Sequence, residues 1–166
     1  MYLILHAFSR RNSGDGLLVD LTLEALEAAG IARQDCALLA LDPDSFPEVE
    51  MVYRAPGEPA ALLSPRLFMA GVELGCNTIS RGRMGSVAKL VAKADGLIAV
   101  GGGYLVADSP VRQLGVLLNH MAQMSAASRA DIPTIYLPQS IGPLKGPVGA
   151  MTMKRLRKID RLYVRD

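Results

Sequence analysis

The sequence predicts an α/β fold, a Rossmann-like three-layer sandwich around a mostly parallel sheet. Three observations carry that expectation. Short apolar runs alternate with segments of helical spacing, so the connections read as crossovers. The runs are nearly continuous in Val, Ile, Leu and Ala, as in strands buried on both faces. Three of them lead into glycine-rich or polar stretches, which an open parallel sheet gathers at its carboxyl edge. The 166 residues give room for one domain with a real core.

The elements follow in order. "YLILHAF" (Tyr2 to Phe8) reads as the first strand, and "SRRNSGDG" as a turn. A helix is expected over 16–29, with Asp20, Glu24 and Glu27 on one face and Leu17, Leu18, Leu21 and Ala25 on the others; Gly30 is a natural stop. "CALLAL" (Cys36 to Leu41) is the second strand. From Asp42 to Arg83 the pattern is turn-rich, with "EMVYR" as a strand and "ALLSPRLFMAGVEL" as a helix kinked near Pro65. Over 86–94 Val87, Leu90, Val91 and Ala94 keep helical spacing, with Lys89 and Lys93 outward. "GLIAV" is a strand that runs into three glycines. A long helix is expected over 109–128, with Pro110 in its first turn and Leu114, Leu117, Met121 and Met124 as its apolar stripe. "IPTIYLP" is a strand ending at Pro138, a basic helix spans roughly 149–159, and "RLYVRD" ends the chain as an apparent strand.

Composition excludes several classes. Half of the residues are hydrophobic and a fifth are charged, which is globular composition. A net charge of +2 makes no case for nucleic acid. No apolar run approaches the roughly 20 residues of a membrane span, and no basic region precedes the first apolar run as in a signal peptide. Cys36 and Cys76 form no motif and read as small buried hydrophobes of a reducing cytoplasm.

Three segments then stand out as loops on one sheet edge: "SRRNSGDG" after Phe8, "GGGYLVAD" after Val100 and "QSIGPLKGP" after Pro138. Bare glycines either make a tight turn or let a phosphate, carboxylate or sugar approach the main chain. "GGGYLV" lacks the third glycine of a dinucleotide fingerprint, and no P-loop pattern occurs.

"NSGD", "KADGLIAVGGGYLVAD", "YLPQSIGPL" and "VRD" occur in the order and spacing seen in polysaccharide pyruvyl transferases, and the chain resembles that family over most of its length. The resemblance implies the N-terminal Rossmann-like half, residues 1–166, of a two-domain, GT-B-like enzyme, with the C-terminal domain absent and this half inactive by itself. It implies transfer of the enolpyruvyl group of phosphoenolpyruvate to a sugar hydroxyl, forming a pyruvate ketal. The acceptor would be a cell-wall or exopolysaccharide sugar, often lipid-linked. No cofactor is implied, since phosphoenolpyruvate is the donor substrate. The implied place is the cytoplasm, with a peripheral contact at the inner membrane face. A homodimer through the face left bare by the missing half is a further expectation.

Within that resemblance Asn12, Gly14 and Asp15 take the N-x-G-D position. Asn12 either bonds an acceptor or caps the first helix. Asp15 orients a sugar hydroxyl, acts as a base, or caps. Gly101, Gly102 and Gly103 are expected on the floor of a cleft. Tyr104 either meets the ligand or closes the core. Gln139, Ser140 and Gly142 offer amide, hydroxyl and backbone donors, and Pro143 fixes a turn. His6 reads as a satisfied core histidine. His120 reads as a structural or exposed mid-helix residue far from the loops. Neither stands at metal-ligand spacing, so no metal is expected. "KRLRK" (Lys154 to Lys158) reads as a solvated helix face, or as a contact for anionic lipid. Arg10, Arg11, Arg112 and Lys145 lie near the loops, and phosphoenolpyruvate needs cations; none of the four can be given a role. Two other functions fit the same pattern: half of a nucleotide-sugar glycosyltransferase, and a stand-alone binding module for an anionic metabolite or sugar.

Overall fold

The computed structural model describes residues 1–57 and 85–165, with five isolated positions (68, 69, 71, 72 and 75) between them. Pro65 and Cys76 lie outside the described residues. Of the helix expected over 61–74, positions 68, 69, 71 and 72 are described, and all four are helical.

The strands are β1 (Tyr2–Ala7), β2 (Cys36–Ala40), β3 (Met51–Arg54), β4 (Gly96–Ala99), β5 (Gly102–Ala107), β6 (Thr134–Leu144) and β7 (Arg161–Val164). The helices are α1 (Ser13–Ala28), α2 (Ser86–Val91), α3 (Pro110–Asn119), α4 (Met121–Ala127) and α5 (Gly146–Leu156). Every strand pair is parallel. β4 pairs with the start of β6 (Leu97 with Thr134) and β5 with its continuation (Gly102 with Gln139), while β7 takes the opposite side of β6. β4 and β5 are therefore one broken strand. Counted so, the sheet runs β3-β2-β1-β4/β5-β6-β7, and its order reverses between β1 and β4. This is the doubly wound Rossmann arrangement.

Two cores form, one on each sheet face. Alternate residues of β1 divide between them, as strand periodicity demands. Ile4 packs with Leu38, Val100, Val19 and Leu23 under α1. Leu3 and Leu5 pack with Leu97, Tyr136, Val87, Met124 and Leu156 under α2, α4 and α5. Cys36 is buried and unpaired. Among the described residues no helix is long and apolar enough to cross a membrane.

The structure corrects several boundaries. Only "SRRNSGDG" is a loop, and α1 begins inside it at Ser13. "GGGYLVA" is not a loop but carries β5, because Gly101 and Gly102 bend the strand and β6 is there to pair with it. "QSIGPL" likewise continues β6 to Leu144, so the strand does not end at Pro138. Leu17 and Leu21 do not face the core: they are 57% and 51% exposed, and Val19 and Leu23 make the contact with the sheet. The long helix breaks at His120, whose backbone (φ −121°, ψ −27°) leaves helical geometry between α3 and α4. Of its expected stripe, Met121 and Met124 are buried but Leu114 is 38% exposed. The basic helix starts three residues early, at Gly146.

The three glycines after β4 differ in what they permit. A Cβ on Gly101 would sit 2.8 Å from the carbonyl oxygen of Pro138. Gly102 has φ +151°, where side chains are rare, and a Cβ there would lie 3.2 Å from the Tyr104 ring. A Cβ on Gly103 meets nothing within 4 Å. Gly101→Ala and Gly102→Ala should therefore lower the urea unfolding free energy by about 1 kcal/mol or more. Gly103→Ala should stay within about 0.5 kcal/mol of the parent. Urea titrations of the three variants check this ordering.

Candidate functional site

The loop after β1 and the bend between β4 and β5 meet at the point where the strand order reverses. Between them lies a cavity of about 240 Å³. Its wall includes Asn12, Asp15 and Leu18 from the start of α1, Val100, Gly101, Gly103 and Tyr104 from the broken strand, and His6, Phe8 and His120. A second cavity of about 370 Å³ shares Gly103, Tyr104 and His120 and adds Arg112 and Asn119 from α3. In doubly wound sheets ligands sit at this crevice.

Asn12 is the N-cap of α1, its side-chain oxygen accepting from the Gly14 N–H at 3.2 Å. Asp15 follows in the first helical turn. Burial raises its pKa, and a hydrogen bond from Asn12 opposes the rise. Tyr104 donates its hydroxyl to the Val100 carbonyl at 3.1 Å, and burial pushes its pKa well above the usual value. Its ring stacks on His120, with centroids 4.6 Å apart.

Two histidines belong to the site that spacing alone did not place there. His6 is 2% exposed and sits in β1 with φ +66°. For a residue other than glycine this backbone costs about 1–3 kcal/mol unless its surroundings hold it. Here the His6 N–H donates to Gln123 Oε1 at 2.8 Å, and the β1–β2 ladder slips between Ile4 and Ala7. The His6 ring reaches Tyr136 Oη through Nε2 (3.0 Å) and His120 Nδ1 through Nδ1 (3.2 Å). His6 is thus satisfied, as expected, but not merely core. His120 is neither exposed nor remote: it is 7% exposed and lines both cavities. The helix break at His120 brings its ring to His6, whereas a straight helix was expected from the unbroken apolar spacing.

Other expected residues stand apart from the cavity walls. Gln139 is fully buried and donates Nε2 to the Val100 carbonyl at 2.5 Å. Ser140 Oγ accepts from Arg165 at 2.9 and 3.1 Å. Gly142 (φ +93°) shapes the backbone of β6. Gly14 and Gly102 are not among the wall residues of either cavity. Of the cations, Arg10 pairs with Asp20 and Glu48, Arg11 with Asp42, and Arg112 with Asp108 at 3.0 Å.

A family model described as polysaccharide pyruvyl transferase matches residues 12–166, from the cap of α1 to the end of the chain. The chain belongs to that family. Comparison with curated proteins gives no match, and comparison with solved structures gives none. In this pyruvyl transferase domain the matched segment carries the cavity walls from Asn12 onward; His6 and Phe8 lie just before it.

Burial lowers the His120 pKa from 6.5 to about 4, and burial with the neighbouring His120 ring pushes His6 well below 6.5. Both rings are therefore neutral in the folded protein while the unfolded chain protonates them near pH 6.5. The unfolded state binds more protons below that point, so stability falls as pH drops from about 6.5 toward 4. For His120 alone the loss between pH 7 and pH 5 is about 2 kcal/mol. Urea unfolding at the two pH values should show it, and His120→Gln should remove its share.

Proposed function

We propose that the cavity between β1 and β4 seats a saccharide hydroxyl and the enolpyruvyl group of phosphoenolpyruvate, and that the domain contributes this pocket to ketal formation. One observation supports the reading above the others. Family membership supplies the transfer of a pyruvyl group, and the cavity at the sheet's reversal point gathers Asn12, Asp15, Gly103 and Tyr104. Gly103 has no side chain and open space beside it, so an anion or a sugar can lie against the main chain.

Asp15 is the residue for the acceptor. It stands in the first turn of α1, where the helix dipole favours the carboxylate, while burial raises its basicity. A hydroxyl hydrogen-bonded to it is oriented and partly deprotonated. Arg112 is the cation best placed for the donor among Arg10, Arg11, Arg112 and Lys145, because it alone borders either cavity. Its pairing with Asp108 is exposed and is exchangeable for a phosphate or carboxylate. The donor is free in the cytoplasm, and the acceptor is a cell-wall or exopolysaccharide sugar or its lipid-linked precursor.

The test joins the chain to the second half that the resemblance implies, offers the assembled protein phosphoenolpyruvate with saccharides that carry two neighbouring hydroxyls, and follows phosphate release and the ketal methyl signal by NMR. Both should appear together. Asp15→Asn should slow transfer by about 100-fold while changing stability by no more than about 1 kcal/mol. Transfer of a sugar from a nucleotide sugar, with phosphoenolpyruvate left intact, would replace this reading with the glycosyltransferase one.

A further inference from the structure

A pyruvate ketal has two C–O bonds to the acceptor, so two hydroxyls must each lose a proton. In the first addition one hydroxyl oxygen bonds to C2 of phosphoenolpyruvate, its proton leaves, and C3 gains a proton to become a methyl group. In the second step the other hydroxyl oxygen bonds to C2, the C2–O bond to phosphate breaks, and phosphate departs with that second proton. Asp15 accounts for one of the two deprotonations. We propose that His120 is the second proton acceptor of this site, taking the acceptor's other hydroxyl proton on Nε2, and that His6 is the positioning residue that holds its ring. The proposal rests on the reading of the cavity as the transfer site.

The geometry carries this in three ways. First, the two Nδ1 atoms lie 3.2 Å apart, within hydrogen-bond distance, and His6 Nε2 lies 3.0 Å from Tyr136 Oη. The tautomer that the proposal assigns has His120 Nδ1 donating to His6 Nδ1 and His6 Nε2 donating to Tyr136 Oη, which leaves His120 Nε2 its lone pair; the reverse tautomer would place a hydrogen there. Among the described residues no hydrogen bond engages that Nε2, and the residue lines the cavity. Second, the arrangement costs the fold something. β1 takes φ +66° at His6 and the helix breaks at His120, where ordinary core packing would ask for neither. Third, the ring is held by two neighbours: it stacks on Tyr104 at 4.6 Å and meets His6 at 5.3 Å, with His6 and Tyr104 themselves 5.0 Å apart. A ring so held keeps one direction for Nε2, which is the role a second group serves beside a catalytic histidine. The titratable and charged groups around it are His6 from β1, Tyr104 from β5, Tyr136 from β6, Asp15 from α1 across the cavity and Arg112 from α3 in the adjoining one.

Two measurements test it, both on the whole chain joined to the second half that the resemblance implies. Diethyl pyrocarbonate at neutral pH acylates unprotonated imidazole nitrogens that it can reach. Peptide mapping should find His120 modified, His6 spared, and His120 protected by phosphoenolpyruvate with a saccharide acceptor. Modification of His6 with His120 spared would overturn the assignment. The second measurement is transfer itself. His120→Asn keeps an amide at the Nδ1 position for His6 and removes Nε2. Transfer should fall by about 100-fold or more with KM for phosphoenolpyruvate little changed and folding intact. His6→Asn suits the positive φ and opens the pocket to water, so its acid limb of kcat/KM should move up in pH as His120 returns toward its ordinary range, with a lower kcat. Normal transfer by folded His120→Asn refutes the proposal while leaving the function standing. No transfer by the parent protein joined to its second half, with or without these changes, refutes the function and the proposal with it.

Discussion

The main chain at Gly101 presses against the carbonyl oxygen of Pro138, so closely that a Cβ would stand 2.8 Å from it. Much of the site depends on this contact. It lets the chain leave β4, bend through Gly101 and Gly102, and rejoin the same edge of β6 as β5. Without the bend, Tyr104 would not come round to stack on His120, and Gly103 would not reach the cavity wall. The three glycines are thus not alike: Gly101 and Gly102 are bare for neighbouring backbone and ring, and Gly103 alone of the three has open space beside it.

A second constraint works from the opposite wall. β1 is buried on both faces and lies at the centre of the sheet, yet it bulges at His6. The cost is met by buried groups: Gln123 accepts the His6 N–H, and Tyr136 and His120 take its ring nitrogens. Burial keeps both imidazoles neutral. Strain of this kind persists where surrounding structure over-determines it, and it concentrates at functional sites. The Rossmann frame therefore does more than hold a loop in place; it brings two histidines, a carboxylate and a bare glycine to one crevice.

Much of the frame was legible in the sequence. The runs at 2–8, 36–41 and 96–100 became β1, β2 and β4, because strands buried on both faces have little choice but to be continuously apolar. Gly30, with φ +86°, ends the first helix as its type implies. Glycine and proline misled where tertiary pairing overrode local signals: "GGGYLV" and "QSIGPL" look like loops, but each supplies the other's strand partner. α1 misled in another way, since Leu17 and Leu21 are apolar yet exposed while Val19 and Leu23 make the contact. Asn12, Asp15, Gly101, Gly103 and Tyr104 are marked by the motifs, and all five line the cavity. His6 and His120 were placed only by the fold. They are 114 positions apart, and no periodicity relates a strand to a helix break. The one signal available was that each histidine lies a few residues from a motif or an apolar stripe.

The central claim is that the crevice between β1 and β4 takes the ligand. The most direct measurement is an amide chemical-shift titration of isotopically labelled protein with phosphoenolpyruvate, alone and with a saccharide acceptor. The account predicts that the shifted amides cluster at Asn12 to Asp15, Val100 to Tyr104 and His120. Shifts centred instead on the basic face of α5, Lys154 to Lys158, or an absence of shifts at millimolar ligand, would contradict it.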